Sequence, residues 1–294
     1  MFDLKQYLAE KTTLVNKALA RALPAANTRP AVLHRAMRYS VMAGGKRLRP
    51  ILCLAAAEAF GGQAQKALRP ALALELLHTY TLIHDDLPCM DDDVLRRGEP
   101  TCHVAFGEAN ALLAGDALLT LAFEWLAGTI PPAPYAPNRL ILELARAAGS
   151  QGVVGGQVED LFSEGKKPSR AAVNYIHLHK TADLIGAAVL IGGICGGASR
   201  SELKALAQYG EKAGLAFQIT DDILNETSSR QKLGKAAGSD RARGKITYPA
   251  VYGLDTSRKM ARRLAGDAVR ALRPLSGKSE ALAALVDFIV TRKL

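Results

Sequence analysis

The chain has 294 residues, 49% hydrophobic but only 5% aromatic, with 38 Lys and Arg against 28 Asp and Glu for a formal charge of +10. Such an Ala- and Leu-rich composition favours helix over sheet, and strand alternation bounded by hairpin signals is nearly absent. The basic balance suits a polyanionic partner, yet no basic stripe interleaved with aromatics and no zinc-finger or RNA-binding signature accompanies it, which disfavours nucleic acid.

Residues 3 to 23 alternate polar and apolar positions at helical period, an exposed first helix. After the Pro24 to Pro30 loop, Ala31 to Ala43 forms a second helix that ends in Gly44-Gly45 and is followed by Lys46-Arg47-Leu48-Arg49-Pro50. Paired glycines stop a helix and let backbones approach, while Lys46 and Arg49 are three apart and can share a face. Ile51 to Phe60 and Leu68 to Ile83 are apolar helices on either side of a Gly61-Gly62 break. The second delivers Asp85 and Asp86 on its end, with His78 on the stripe of Asp85. Pro88 forbids a straight continuation, so Asp91 must return to the first pair through a bend. Five carboxylates, Asp85, Asp86, Asp91, Asp92 and Asp93, lie within nine residues, and Arg96 and Arg97 follow. Carboxylates so close repel, and a hard divalent cation relieves them; arginine suits forked recognition of phosphate.

Gly98 to Thr101 is a turn, Ala109 to Ile130 a long helix, and Pro131 to Asn138 the most evident loop. Asn138 is expected to cap a helix running to about Leu161, despite Gly149, Gly152, Gly155 and Gly156 inside it; these permit tight helix contact or clear room for a ligand. Gln157 and Asp160 follow, three apart. Beyond the Ser163 to Ser169 linker, a helix from Arg170 carries His177, His179, Lys180 and Thr181 into the glycine-rich Gly186 to Gly197 segment. Ser199 to Glu202 reads as a capping box opening a helix to Leu224. On that helix Gln218, Asp221, Asp222 and Asn225 form one polar stripe on an otherwise apolar surface. Residues 226 to 246, with Lys235, Asp240 and Lys245, read as a loop or lid, and helices continue to the C-terminus with Pro274 and Gly277 between the last two.

The four cysteines, Cys53, Cys89, Cys102 and Cys195, show no Cys-x-x-Cys spacing and read as free thiols of a reducing compartment. Met1 to Ala20 has no signal-peptide profile, and the longest apolar run, Leu184 to Ala198, falls short of the ~20 residues a bilayer span requires. A cytoplasmic protein without stable membrane anchoring is expected. With no linker dividing the chain, residues 1–294 read as a single all-α domain, a bundle of roughly ten or more helices around a central cavity. Two acidic sites with phosphate-type arginines suggest Mg²⁺ clamping a diphosphate between facing helices.

In order along nearly the whole chain, Gly44-Gly45-Lys46-Arg47-Leu48-Arg49-Pro50, His78, Asp85-Asp86-x4-Asp91 with Arg96-Arg97, Gly155-Gly156-Gln157, Lys180-Thr181, Phe217-Gln218-x2-Asp221-Asp222, Lys235 and Lys245-x-Thr-Tyr-Pro resemble the trans-isoprenyl diphosphate synthases, within them the bacterial farnesyl diphosphate branch. The resemblance implies a homodimeric helical bundle joining an allylic diphosphate to isopentenyl diphosphate, with several Mg²⁺ ions per site. It implies Asp85, Asp91 and Asp221 as metal ligands with Asp86 and Asp222 beside them. Arg96, Lys180, Thr181, Gln218 and Lys235 would face the allylic substrate, and Lys46, Arg49, His78 and Arg97 the isopentenyl diphosphate. Tyr80, with Thr81, resembles the bulky wall that stops short-chain members at fifteen carbons, so farnesyl diphosphate is the expected product and geranylgeranyl diphosphate the alternative.

Two positions depart from the family pattern: Asn225 stands where the second motif ends in Asp, and Ser239 stands where Lys precedes Asp240. They motivate the reading of a low-activity regulatory homologue. His84-Asp85 is the pair of metal-dependent phosphohydrolases, for which His177 and His179 are candidate further ligands. A terpene cyclase shares the first acidic motif but not the second acidic pair or Lys46 and Arg49.

Overall fold

Asp3 accepts a hydrogen bond from the Gln6 backbone N–H at 3.0 Å and opens α1 (Leu4–Ala22) in the computed structural model, which describes residues 2–61, 64–227, 243–275 and 278–291. α2 (Ala31–Met42) ends at Gly44 and Gly45, both with positive φ, and Arg47 follows in the left-handed region at φ 48°. α3 (Leu48–Ala59) and α4 (Ala64–Asp85) follow, the latter starting before Leu68 and holding Pro70 inside it. A two-residue antiparallel ladder of β1 (Leu95–Arg96) and β2 (Glu99–Pro100) turns at Arg97 and Gly98, both at positive φ. Apart from that ladder the described architecture is helical.

Short α5 (Cys102–Phe106) leads into α6 (Glu108–Ala127). The helix expected from Asn138 to Leu161 is two, α7 (Arg139–Ala148) and α8 (Val153–Ser163), and Asn138 makes no side-chain cap bond. Gly149 and Gly152 take backbone angles outside the helical region, so the glycines that weigh against helix break it here. Gly156 serves contact instead: a Cβ there would lie 2.2 Å from the backbone nitrogen of Lys180. α9 (Arg170–Ile176) runs through a π-helical turn, His177–Ala182, into α10 (Asp183–Gly196). α11 (Arg200–Thr227) opens with the expected capping box, Ser199 N–H to Glu202 at 2.8 Å and Glu202 N–H to Ser199 Oγ at 3.4 Å. α12 (Tyr248–Tyr252), α13 (Leu254–Ala271) and α14 (Glu280–Thr291) complete the helices of the described residues.

The core is one large cluster in which α10, apolar nearly all round, packs between α3 and α11 while α4 packs on α6. Tyr209 of α11, fully buried, donates its hydroxyl to the Leu282 carbonyl of α14 at 2.8 Å. By length and composition, α6 and the continuous Arg170–Gly196 rod are each apolar enough to cross a membrane, contrary to the expectation from the longest apolar run. The most apolar 18-residue stretch of the rod is 67% buried, as in a core helix, whereas that of α6 is 39% buried, and α6 exposes Leu112 and Leu113.

Candidate active site

The end of α4 behaves as Pro88 requires. The chain turns after Asp85, and the Asp91 N–H comes back to the Asp85 carbonyl at 2.8 Å. Two adjoining cavities open there, of about 540 and 200 Å³, sharing Leu82, Asp85, Arg96, Lys180, Thr181 and Gln218 in their walls. The larger also takes Asp221 from α11, so the two acidic motifs face one space. Its further reach is apolar, with Met90, Val153, Val158 and Leu161. The smaller is polar, lined also by Asp91, Asp160, His177, Asp222 and Lys245.

The acidic pairs divide differently: Asp86 lines neither cavity, whereas Asp221 lines the larger and Asp222 the smaller. Asp86 is buried and held by Arg96 Nε at 2.9 and 2.7 Å. Burial alone would lower the Arg96 pKa, but the hydrogen bonds and charge of Asp86 outweigh it and hold the guanidinium above its ordinary value. Asp222 is likewise buried, accepting from the Tyr248 backbone N–H at 2.9 Å and lying 2.7 Å from His177 Nε2. Asp85 is different: burial pushes its carboxyl up, opposed by the charge of Lys180 and reinforced by Asp91.

Cations gather opposite. Lys180 Nζ donates to Asp160 at 2.7 Å, and Lys245 bridges Asp91 at 2.9 Å and Asp160 at 3.2 Å. Arg243 approaches Asp91 at 3.6 Å and also pairs with Asp93. A second cationic group, Arg49, His78 and Arg97, lines the larger cavity. Burial lowers Arg49 to about 10 and, with the charges of Arg49 and Arg97, holds His78 well below its usual value. Arg97 lies over the Gly44-Gly45 turn, where a Cβ on Gly45 would sit 2.6 Å from its guanidinium carbon. Concentrated positive charge of this kind is relieved by an anion such as phosphate.

Magnesium takes near-octahedral oxygen ligands, typically one or two carboxylates completed by substrate phosphates and water. Among the described residues no three acidic or histidine side chains converge as a ready-made cage. Asp85, Asp91 and Asp221 therefore fit the ion on donor chemistry as a partial shell, with Asp91 neutralised meanwhile by Lys245.

Lys46 is not brought here. The left-handed Arg47 turns its own side chain inward to Glu75 at 2.7 Å, and Lys46 precedes α3 instead of sharing a face with Arg49. It lines a separate cavity of about 170 Å³ with Leu8, Thr12, Leu48, Phe288 and Ile289. Tyr80 and Thr81 do line the larger cavity, Tyr80 buried and edge-on to His84 at 5.5 Å. Lys235, Ser239 and Asp240 lie outside the described residues, as does most of the expected loop or lid. Asn225 is not among the residues lining either cavity. The histidines of the hydrolase alternative do not converge: His84 contacts the Leu112 carbonyl at 3.0 Å, His177 faces Asp222 and His179 faces Asp183. Asp160 and Arg243 were not expected as site residues, the signal for Asp160 being its place three after Gln157; Lys245 stood in the Lys245-x-Thr-Tyr-Pro motif without an assigned role.

Residues 30–283 match the model of the polyprenyl synthetase family. Geranylgeranyl pyrophosphate synthase 4 of Arabidopsis thaliana is 45% identical over 99% of this chain and 78% of its own length. An FPP/GFPP synthase from Zymomonas mobilis superposes with a TM-score of 0.86 at 36% identity, covering 98% of both chains. A Helicobacter pylori geranyltransferase, solved with magnesium and isoprenyl diphosphate, gives 0.85 at 31% identity over 99% of this chain and 97% of its own. The chain belongs to the polyprenyl synthetase family and is a trans-prenyltransferase.

Proposed function

We propose that the protein condenses isopentenyl diphosphate with an allylic diphosphate in a Mg²⁺-dependent reaction, as one domain acting in the cytoplasm. The observation that carries this is a single cavity with Asp85 and Asp221 on its walls and the Arg49, His78 and Arg97 group beside them. Magnesium, bound through Asp85, Asp91 and Asp221, would supply neutralisation of the departing diphosphate. Lys180 and Arg96 add fixed positive charge at the same place. The allylic carbon–oxygen bond breaks with its electron pair leaving on diphosphate, the isopentenyl alkene forms the new carbon–carbon bond, and the proton then lost passes to the released diphosphate. Val153 and Leu161 of α8 give the cavity an apolar wall on the side where the prenyl cation would lie. Arg49, His78 and Arg97 hold the isopentenyl diphosphate in this reading.

Tyr80 in the cavity wall supports farnesyl diphosphate as the product. The name of the Arabidopsis relative favours the longer geranylgeranyl product instead, and the Zymomonas relative's name spans both farnesyl and longer chains. A homodimer is part of the proposal, supported by Leu112 and Leu113 exposed on the half-buried α6.

Purified full-length protein with dimethylallyl or geranyl diphosphate is expected to form elongated product only with both isopentenyl diphosphate and Mg²⁺. Orthophosphate release without isopentenyl diphosphate, or no turnover with any allylic primer, overturns the proposal. Tyr80→Ala is expected to shift product towards longer chains. Wild-type product already at geranylgeranyl length, unchanged in the variant, removes Tyr80 as the wall.

A further inference from the structure

Thr181 and Gln218 meet at the seam of the two cavities, where Thr181 Oγ1 donates to Gln218 Oε1 at 2.8 Å. Gln218 Nε2 in turn donates to Asp222 Oδ1 at 3.1 Å, and the other Asp222 oxygen is held by His177 Nε2 and the Tyr248 N–H. Thr181, His177 and Asp222 are all buried.

The polarity of this relay follows from its charged member. An ionised carboxylate only accepts, so the nitrogen of the Gln218 amide must face Asp222. Its oxygen is then turned to Thr181 and commits the single hydroxyl hydrogen there. Reversing the amide would set oxygen against carboxylate and leave two buried acceptors facing each other. The Thr181 hydroxyl hydrogen is thereby turned away from the cavity, and the lone pairs of the Thr181 oxygen are left to face it. A Thr181 hydroxyl free to rotate would instead spend part of its time presenting the positive end of its dipole. His177 and Thr181 sit four apart in one π-helical turn, which fixes the two ends of the relay relative to each other.

We infer that His177 and Asp222 are positioning residues that set the direction of this relay, so that the Thr181 oxygen faces the carbon that becomes positive as diphosphate departs. The inference rests on the prenyl-transfer reading. Oriented dipoles aimed where charge develops stabilise the transition state without reorganising, and they do so more strongly in an apolar, water-poor cavity. Neither His177 nor Asp222 needs to touch the substrate for this. Their effect falls on the transition state and spares the binding of an uncharged prenyl tail.

Two allylic diphosphate analogues separate the possibilities, each bound to the full-length protein in the presence of Mg²⁺. One carries a protonated amine at the reacting carbon; the other is a thiolodiphosphate, uncharged at that carbon, whose carbon–sulfur bond resists heterolysis. Wild type is expected to prefer the first. In His177→Leu and Asp222→Asn that preference and kcat should fall about 10- to 100-fold, the usual effect of removing an outer partner that orients a working group, while thiolodiphosphate affinity and the Mg²⁺ half-saturation move less than about threefold. His177→Gln, which can still donate to Asp222, should retain most of the preference, and it carries the test with Asp222→Asn if the leucine variant does not fold. Undiminished preference in the folded variants overturns the positioning role, and so does an equal loss for both analogues. No preference in the wild type, or no elongation at all, overturns the prenyl-transfer reading itself.

Discussion

Asp85-Asp86 at the end of α4 and Asp221-Asp222 on α11 are spelled alike, and in both the second carboxylate is anchored beneath the first. Consecutive helical residues point about 100° apart, so the two members of a pair at a cavity edge meet different surroundings. The anchors differ in kind. Asp86 is tied to a permanent cation, Arg96, whereas Asp222 is surrounded by a histidine, an amide and a backbone N–H. The first motif is thus a charge-neutralised scaffold, and the second a hydrogen-bonded one whose direction can be read atom by atom.

Asp85→Asn tests that division most severely. It lines both cavities, so its loss is expected to lower kcat/KM on the order of 10³-fold while leaving the fold intact, by analogy with loss of a group that neutralises transition-state charge. Asp221→Asn, lining only the larger cavity, should do less in the same steady-state assay. Asp86→Asn costing more turnover than Asp85→Asn at an unchanged melting temperature would reverse the assignment. The anchor itself is probed by Arg96→Ala, which strands Asp86 without its cation. Breaking a buried pair in this way costs roughly 3–5 kcal/mol, to be read from urea unfolding. Unchanged stability would mean that Asp86 is hydrated.

Much of this was legible in the letters. Pro88 forced the return of Asp91, the Ser199 and Glu202 spacing gave the cap, and the Gln218 to Asp222 stripe could not belong to a core. What stayed hidden depended on local backbone and on distance in sequence. One left-handed residue, Arg47, sends Lys46 away from the cavity, and no periodicity reports that. The α7–α8 break required knowing that Gly149 and Gly152 end helices while Gly156 only makes room for one. Asp160 is ordinary in isolation, and its partners Lys180 and Lys245 lie 20 and 85 residues away.

That same cluster sharpens the comparison at its weakest point, because here cations from distant segments hold an acid that belongs to neither motif. Burial would raise the Asp160 carboxyl, but Lys180 and Lys245 outweigh it and keep its pKa below the usual carboxylate range; Lys245 is raised in return, its own burial overcome by Asp160 and Asp91. As pH falls through the ordinary Asp value, about 4, the unfolded chain binds a proton that the folded protein does not. The stability contributed by Asp160 is therefore complete above that value and lost as pH falls through the depressed folded one. In metal-free protein, Asp160→Asn should flatten the acid limb of the melting-temperature curve below about pH 4, with little change in its slope between pH 6 and 8. Parallel acid limbs for variant and wild type would show that water, not Asp160, solvates the two lysines.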